Sequence, residues 1–135
     1  MLVKMESNAV GGGSAPELIW KNPSPYTAFS AQTISPSSAG WVSGKSIDDY
    51  DGVIVGVYEY ASQGSSRDSA LCYIPKSISG ITNLSSLHID DIMTRNSYSN
   101  PRTVTYTSNG LSFTSSNNNY NIPHYIWGVK GALSE

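Results

Sequence analysis

Charge is scarce in this sequence. Only 13% of its 135 residues are Asp, Glu, Lys or Arg, against roughly 25% in an average soluble domain. The net charge is −2 and the basic residues are scattered, so nothing resembles a surface that tracks phosphates, and no nucleic-acid partner is expected. Cysteine is nearly absent. Cys72 stands alone, which excludes an intrachain disulfide. Placed between Leu71 and Tyr73 in a predicted strand, it reads as a small buried hydrophobe, and a lone thiol fits assembly in a reducing cytoplasm. Long hydrophobic runs are missing too. No window approaches the roughly 20 apolar residues of a membrane helix, and Met1 to Val10 lacks the apolar core of a secretory signal. A soluble protein without a membrane span or Sec signal is the expectation.

Ser, Thr, Asn and Gly do the solvating instead, and nine tyrosines supply strand-forming residues with polar tips. The run Asp51-Gly-Val-Ile-Val-Gly-Val-Tyr-Glu-Tyr60 reads as a buried central strand from about Gly52, entered through turn residues. Leu18 to Trp20 predicts a short strand, stopped by Asn22-Pro-Ser-Pro25. Ala28 to Ile34 predicts another, with Phe29, Ala31 and Thr33 on one face. Trp41 to Asp51 reads as a polar loop. Ser62 to Asp68 reads as a turn leading to a strand over Ser69–Ile74, which Pro75 ends. A short strand is expected near Ser86–Met93. Asn109-Gly110 predicts a two-residue type I′ hairpin that pairs Tyr106 with Phe113 and Thr105 with Thr114. Tyr120 to Val129 closes the series.

About seven to nine short antiparallel strands and no long helix make this an all-β chain, folded as a single β-sandwich, jelly-roll-like or Greek-key, or as a small barrel. Gly11-Gly-Gly-Ser-Ala15 is linker-like. Residues 1–15 are therefore expected to be a flexible N-terminal arm or linker and residues 16–135 the β-sandwich.

Motifs for chemistry are sparse. His88 and His124 share no metal-ligand spacing, no G-x-S-x-G elbow occurs, and no cofactor is implied. Asp48, Asp49 and Asp51 could suggest a calcium loop, but the EF-hand spacing is missing, and a polar turn feeding the central strand explains them. Glu59 with one of these aspartates could form a glycosidase pair, although Glu59 reads more simply as an outward strand residue. Trp20 and Trp127 sit in apolar runs and are assigned to the core. Trp41, after Gly40 in a polar loop, is the candidate for an exposed ring. Aromatic faces beside amides are how proteins hold sugars, and Trp41, Tyr98, Asn117, Asn118, Asn119 and Tyr120 supply those types. They are the candidate binding residues. A non-enzymatic protein is expected.

Several segments together resemble the C-terminal β domains of phage tail and head-fibre proteins. They are Glu17-Leu-Ile-Trp-Lys-Asn-Pro-Ser-Pro25, Ala28-Phe-Ser-Ala-Gln-Thr-Ile34, Tyr50-Asp-Gly-Val-Ile-Val-Gly-Val-Tyr58, Tyr73-Ile-Pro75, Arg102-Thr-Val-Thr-Tyr106 before an Asn-Gly turn, and Ile122-Pro123 before Trp127-Gly-Val-Lys130. The resemblance spans about residues 17–130 and transfers no catalytic residue. It implies a phage or prophage virion structural protein, a fibre, tail or capsid-decoration component assembled in the host bacterial cytoplasm. It further implies a homotrimer, contacts to other virion proteins through residues 1–15, and binding of a host-surface glycan or protein. A free-standing carbohydrate-binding module is the alternative, and a small hydrolase using Glu59 a third.

Overall fold

Val53, Val55 and Val57 recur at every second position of one strand, and all three are buried, as a period of two requires when one face of a sheet meets the core. The computed structural model of the protein describes residues 15–62, 65–76, 90–92, 102–114 and 120–131. These form eight strands: β1 (Glu17–Lys21), β2 (Gln32–Ile34), β3 (Gly52–Ser62), β4 (Ser65–Pro75), β5 (Asp90–Ile92), β6 (Arg102–Tyr106), β7 (Leu111–Phe113) and β8 (Ile122–Val129). They assemble into two four-stranded sheets with the orders β1-β8-β3-β4 and β2-β7-β6-β5, and every pairing is antiparallel.

The expectation of an all-β sandwich is met. β1 pairs with β8 and β2 with β7, so the two ends of the β region nest as in a jelly roll. The inner strands close locally instead, β3 on β4 and β6 on β7. One core joins the sheets: Ile19, Trp20, Val53, Val55, Val57, Ile74 and Ile126 from the first meet Ile34, Val104, Tyr106, Leu111 and Phe113 from the second. Each large side chain so removed from water contributes about 1.5–3 kcal/mol. The Tyr106 hydroxyl crosses the interface to donate to the Ile74 carbonyl, and burial pushes its pKa up.

The register of the first sheet shifts twice in the β3–β4 ladder beyond Tyr58 and at two further bulges, in β1 and in β8. In β1 the register slips between Leu18 and Trp20, which lets the consecutive residues Ile19 and Trp20 both reach the core. Opposite β3, Tyr125 pairs with Gly56 but Pro123 pairs with Val57, leaving His124 as the extra residue of β8. Asn22 secures this second bulge. Its backbone N–H donates to the His124 carbonyl at 2.8 Å and its side-chain amide to the Pro123 carbonyl at 2.9 Å.

Several local expectations are corrected. The strand predicted over Ala28–Ile34 shrinks to Gln32–Ile34, and Ala31 and Thr33 are exposed while Phe29 and Ile34 are buried. The stretch before it is tied by turns, with Asn22 Oδ1 accepting from Ser24 N–H and Thr27 Oγ1 donating to the Ser24 carbonyl. The β3–β4 ladder runs further than expected, because β4 starts at Ser65. The β6–β7 hairpin pairs Tyr106 with Leu111 and Val104 with Phe113, two residues away from the predicted register. A two-residue slip keeps every side chain on its face, so the buried set of Val104, Tyr106, Leu111 and Phe113 is unaffected.

Gly110 explains the slip. It is absent from the positive-φ glycines among the described residues, so the left-handed turn that Asn-Gly suggests does not form. Its backbone instead lies against β2, where an added Cβ would come within 2.0 Å of the Ile34 carbonyl oxygen. Gly110→Ala is therefore expected to destabilise the domain by about 2–3 kcal/mol through overpacking, which thermal or urea unfolding would read. A variant as stable as the parent would show that β2 gives way freely.

Candidate functional site

The outer face of the β1-β8-β3-β4 sheet carries an aromatic row. Ile126 points into the core, so its neighbours Tyr125 and Trp127 project outward and remain half-buried. The bulge at His124 re-aims that ring to the same side. His124 stacks on Tyr125 (centroids 4.1 Å apart, 28° between planes) and Tyr125 on Trp127 (5.1 Å, 20°). The second pair is an offset stack, the arrangement that ring quadrupoles favour, and Tyr125 is thus stacked by two neighbours. Tyr58 meets His124 edge to face at 5.1 Å, and Tyr26 meets Tyr58 at 5.7 Å. Five rings from β8, β3 and the loop after β1 thus form one continuous wall.

Beside this wall runs an open groove of about 350 Å³. Gly56 is its floor. A Cβ there would lie 3.3 Å from both Leu71 Cδ2 and Trp127 Cζ3, so these two side chains converge closely over the glycine and a larger residue would push them apart. Leu71 forms the far side and is 72% exposed, while Tyr26 closes one end at 37% exposure. Both are large apolar side chains in contact with water, and among the described residues no other large hydrophobic is classed as exposed. An exposed apolar cluster edged with polar groups marks a binding surface more often than a lone exposed leucine does.

Electrostatically the groove is nearly neutral. Its described lining contains no carboxylate. Lys21, paired with Tyr125 across the β1–β8 ladder, holds its ammonium 5.8 Å from the Tyr125 ring centre. Burial, and then the positive charge of Lys21, lower the pKa of His124, so its imidazole is neutral at physiological pH. Because the folded state holds this proton less tightly than the unfolded chain does, the unfolded chain binds more protons and acid favours it. The contribution of His124 to stability is present in full above the ordinary imidazole value of about 6.5 and is lost as pH falls from there through the lower folded value. Melting temperature should therefore decline as pH drops from 7 toward 5, and His124→Phe, which keeps a ring, should flatten that slope. An unchanged slope in the variant would remove His124 from the account.

The residues singled out in the sequence do not converge on this groove. Trp41 is half-buried rather than an exposed ring: it packs against the core, bridges to Trp20, and donates its indole N–H to the Lys45 carbonyl at 2.9 Å. Tyr120 is half-buried, and its carbonyl accepts from Arg102 Nη2 at 3.0 Å. Tyr98 and Asn117–Asn119 lie outside the described residues, as do His88 and the side chain of Glu59.

The acidic stretch behaves as the polar turn expected of it. Ile47–Asp49 is a single 3-10 turn capped by Ser46, and Asp51 accepts from the Gly131 N–H at 2.6 Å. Near it, Glu17 binds Lys45 at 3.0 Å and the Tyr50 hydroxyl at 2.8 Å. The Lys45 hydrogen bond, then that of Tyr50, lowers the Glu17 pKa, and the cluster ties β1 to the loop before β3. Among the described residues, no three metal-ligating side chains come together, and no helix is long and apolar enough to cross a membrane.

Trp127 corrects the core assignment that its apolar neighbours suggest, because it stands on the outer face. Its i, i+2 spacing from Tyr125 around a central isoleucine is the signal that both rings share the face opposite Ile126. His124 carries no such signal, because its position depends on a bulge. Set against known proteins, the chain matches no family model, no curated protein and no solved structure.

Proposed function

We propose that this chain is the glycan-binding β-sandwich of a phage virion structural protein, acting by adhesion rather than catalysis. One observation carries the binding part: the row His124-Tyr125-Trp127, extended by Tyr58 and Tyr26, beside an open groove floored by Gly56. Sugars present flat C–H faces that sit on aromatic rings and hydroxyls that bond to polar tips. A shallow, preformed groove on a rigid sheet meets that need with little ordering on binding. An open groove also admits the middle of a chain, so a polymeric glycan fits it.

The virion setting rests on the resemblance to phage fibre domains. Its segments fall on β1, β2, β3, the end of β4, β6 and the two ends of β8, and they include Gly56, Tyr58 and Trp127 of the groove. In this setting the protein is a homotrimer linked to the particle through residues 1–15. A free-standing carbohydrate-binding module uses the same groove as a monomer. One purified sample tests both parts. Binding to a bacterial surface-polysaccharide array reads the groove, and light scattering behind a sizing column reads the assembly. Saturable binding with a mass about three times the 14.5 kDa chain is expected. A monomer that binds selects the free-standing module, and a protein that binds no glycan overturns the adhesive reading.

A further inference from the structure

We infer that the groove selects an acidic glycan, one whose sugar ring lies against Tyr125 and Trp127 while a carboxylate at the ring's edge meets Lys21. This inference rests on the glycan-binding reading above and names its substrate class.

One cross-strand row carries the inference. Lys21 pairs with Tyr125, Tyr125 with Gly56, and Gly56 with Leu71. Side chains in such a row stand side by side on the same face, so the row runs from a cation through a ring and a glycine to an exposed aliphatic wall. Lys21 is exposed, and its ammonium lies 5.8 Å from the Tyr125 ring centre. A sugar resting against that ring projects its substituents sideways, and a group on the β1 side comes to the ammonium. The described lining has no carboxylate to repel an anion, and the basic residue within it, His124, is neutral. The acid at the far end of β1 lies elsewhere: Glu17 pairs with Gly128 and is bound by Lys45, Tyr50 and Lys130. Lys21 stands outside the lining and beside it, through Tyr125. One cation flanking an otherwise neutral aromatic groove is complementary to one anionic group per sugar, which a uronic-acid polymer supplies at regular spacing.

Oligogalacturonate and its methyl ester isolate the charge, because the two share a backbone and differ in whether the carboxylate is free. The parent protein is expected to bind the free acid about three- to fivefold more tightly, the size of a solvent-exposed ion pair. The gap should close at 1 M salt, where the Debye length is about 3 Å. Lys21→Gln should bind both forms as the parent binds the ester, and Lys21→Arg should restore the preference. Equal binding of acid and ester by the parent overturns the acidic-glycan inference and leaves the groove reading standing. A preference that survives in Lys21→Gln overturns the role of Lys21. Tighter binding of a phosphodiester-linked sugar polymer than of the galacturonate overturns the carboxylate. Binding of no glycan at all defeats the adhesive reading itself, and the inference with it.

Discussion

Trp127→Ala should weaken glycan binding roughly 30-fold while leaving the domain folded. The indole is half-buried on the outer face of β8, forms one wall of the groove over Gly56 and terminates the stack that begins at His124. Aromatic anchors at the centre of a binding surface carry about 2 kcal/mol or more, which corresponds to a loss of roughly 30-fold in affinity. Stability should change less, because Trp127 lies outside the buried core cluster. Calorimetric titration with the tightest ligand from an array, beside a thermal melt of the same sample, checks both halves. Trp127→Phe, which keeps a ring, should recover much of the affinity. An alanine variant that binds as the parent does would move the site off this face. The same loss in Trp41→Ala and not in Trp127→Ala would return it to the loop singled out in the sequence.

The second large effect concerns stability. Arg102 is only 1% exposed, an unusual place for a guanidinium. Its Nε donates to the Asn121 carbonyl at 2.7 Å, Nη1 to that of Thr114 at 3.1 Å and Nη2 to that of Tyr120 at 3.0 Å. Its flat face lies 4.9 Å from the centre of the Phe29 ring. Burial draws its pKa down to about 10, so it remains charged at neutral pH. The planar fork thereby joins the end of the β6–β7 unit to the residues that lead into β8. Asn121, which accepts one of these bonds, has a φ of 50°, a left-handed conformation that asparagine tolerates better than most residues.

Truncation at Arg102 would strand the buried Asn121 carbonyl, and the partly buried Thr114 and Tyr120 carbonyls, without the charged donor. Arg102→Ala is expected to destabilise by about 3–5 kcal/mol, lowering the melting temperature by roughly 10–20 °C. Lysine keeps the charge but cannot reach three carbonyls with one ammonium in a fixed plane, so Arg102→Lys should recover only a small part. Methionine is the decisive variant, because replacing a buried charge by an apolar chain of similar length is neutral in some proteins. A methionine variant within about 1 kcal/mol of the parent by urea unfolding would show that the fork contributes little beyond volume.

Local pattern and long-range contact divide the rest of the molecule between them. Alternation alone places Val53, Val55 and Val57 inward and identifies β3 as a central strand, since a period of two is a property of the local chain. The faces of the β6–β7 hairpin are legible for the same reason. Its register is not, because the slip comes from the approach of Gly110 to Ile34, a residue far away in the chain. Trp41 reads as exposed because its neighbours are Ser and Gly, yet its indole finds the Lys45 carbonyl and its backbone bridges to Trp20. Neither contact can be read from a polar loop.

Strand content, the all-β class and the buried faces of β3 and of the β6–β7 hairpin follow from the order of residues, because side-chain alternation and turn chemistry act over a few positions, whereas the faces of β2 and of Trp127 in β8 do not. The groove and the Arg102 fork do not. Tyr125 and Trp127 become a wall only when β8 lies between β1 and β3, and Gly56 becomes a floor only when Leu71 arrives on β4. Lys21 reaches the row only through the β1–β8 register, and His124 joins it only through a bulge that Asn22 holds from the far side of the chain. Each of these depends on hydrogen-bonded partners distant in sequence, and such partners are chosen by packing the whole core at once rather than by any local preference.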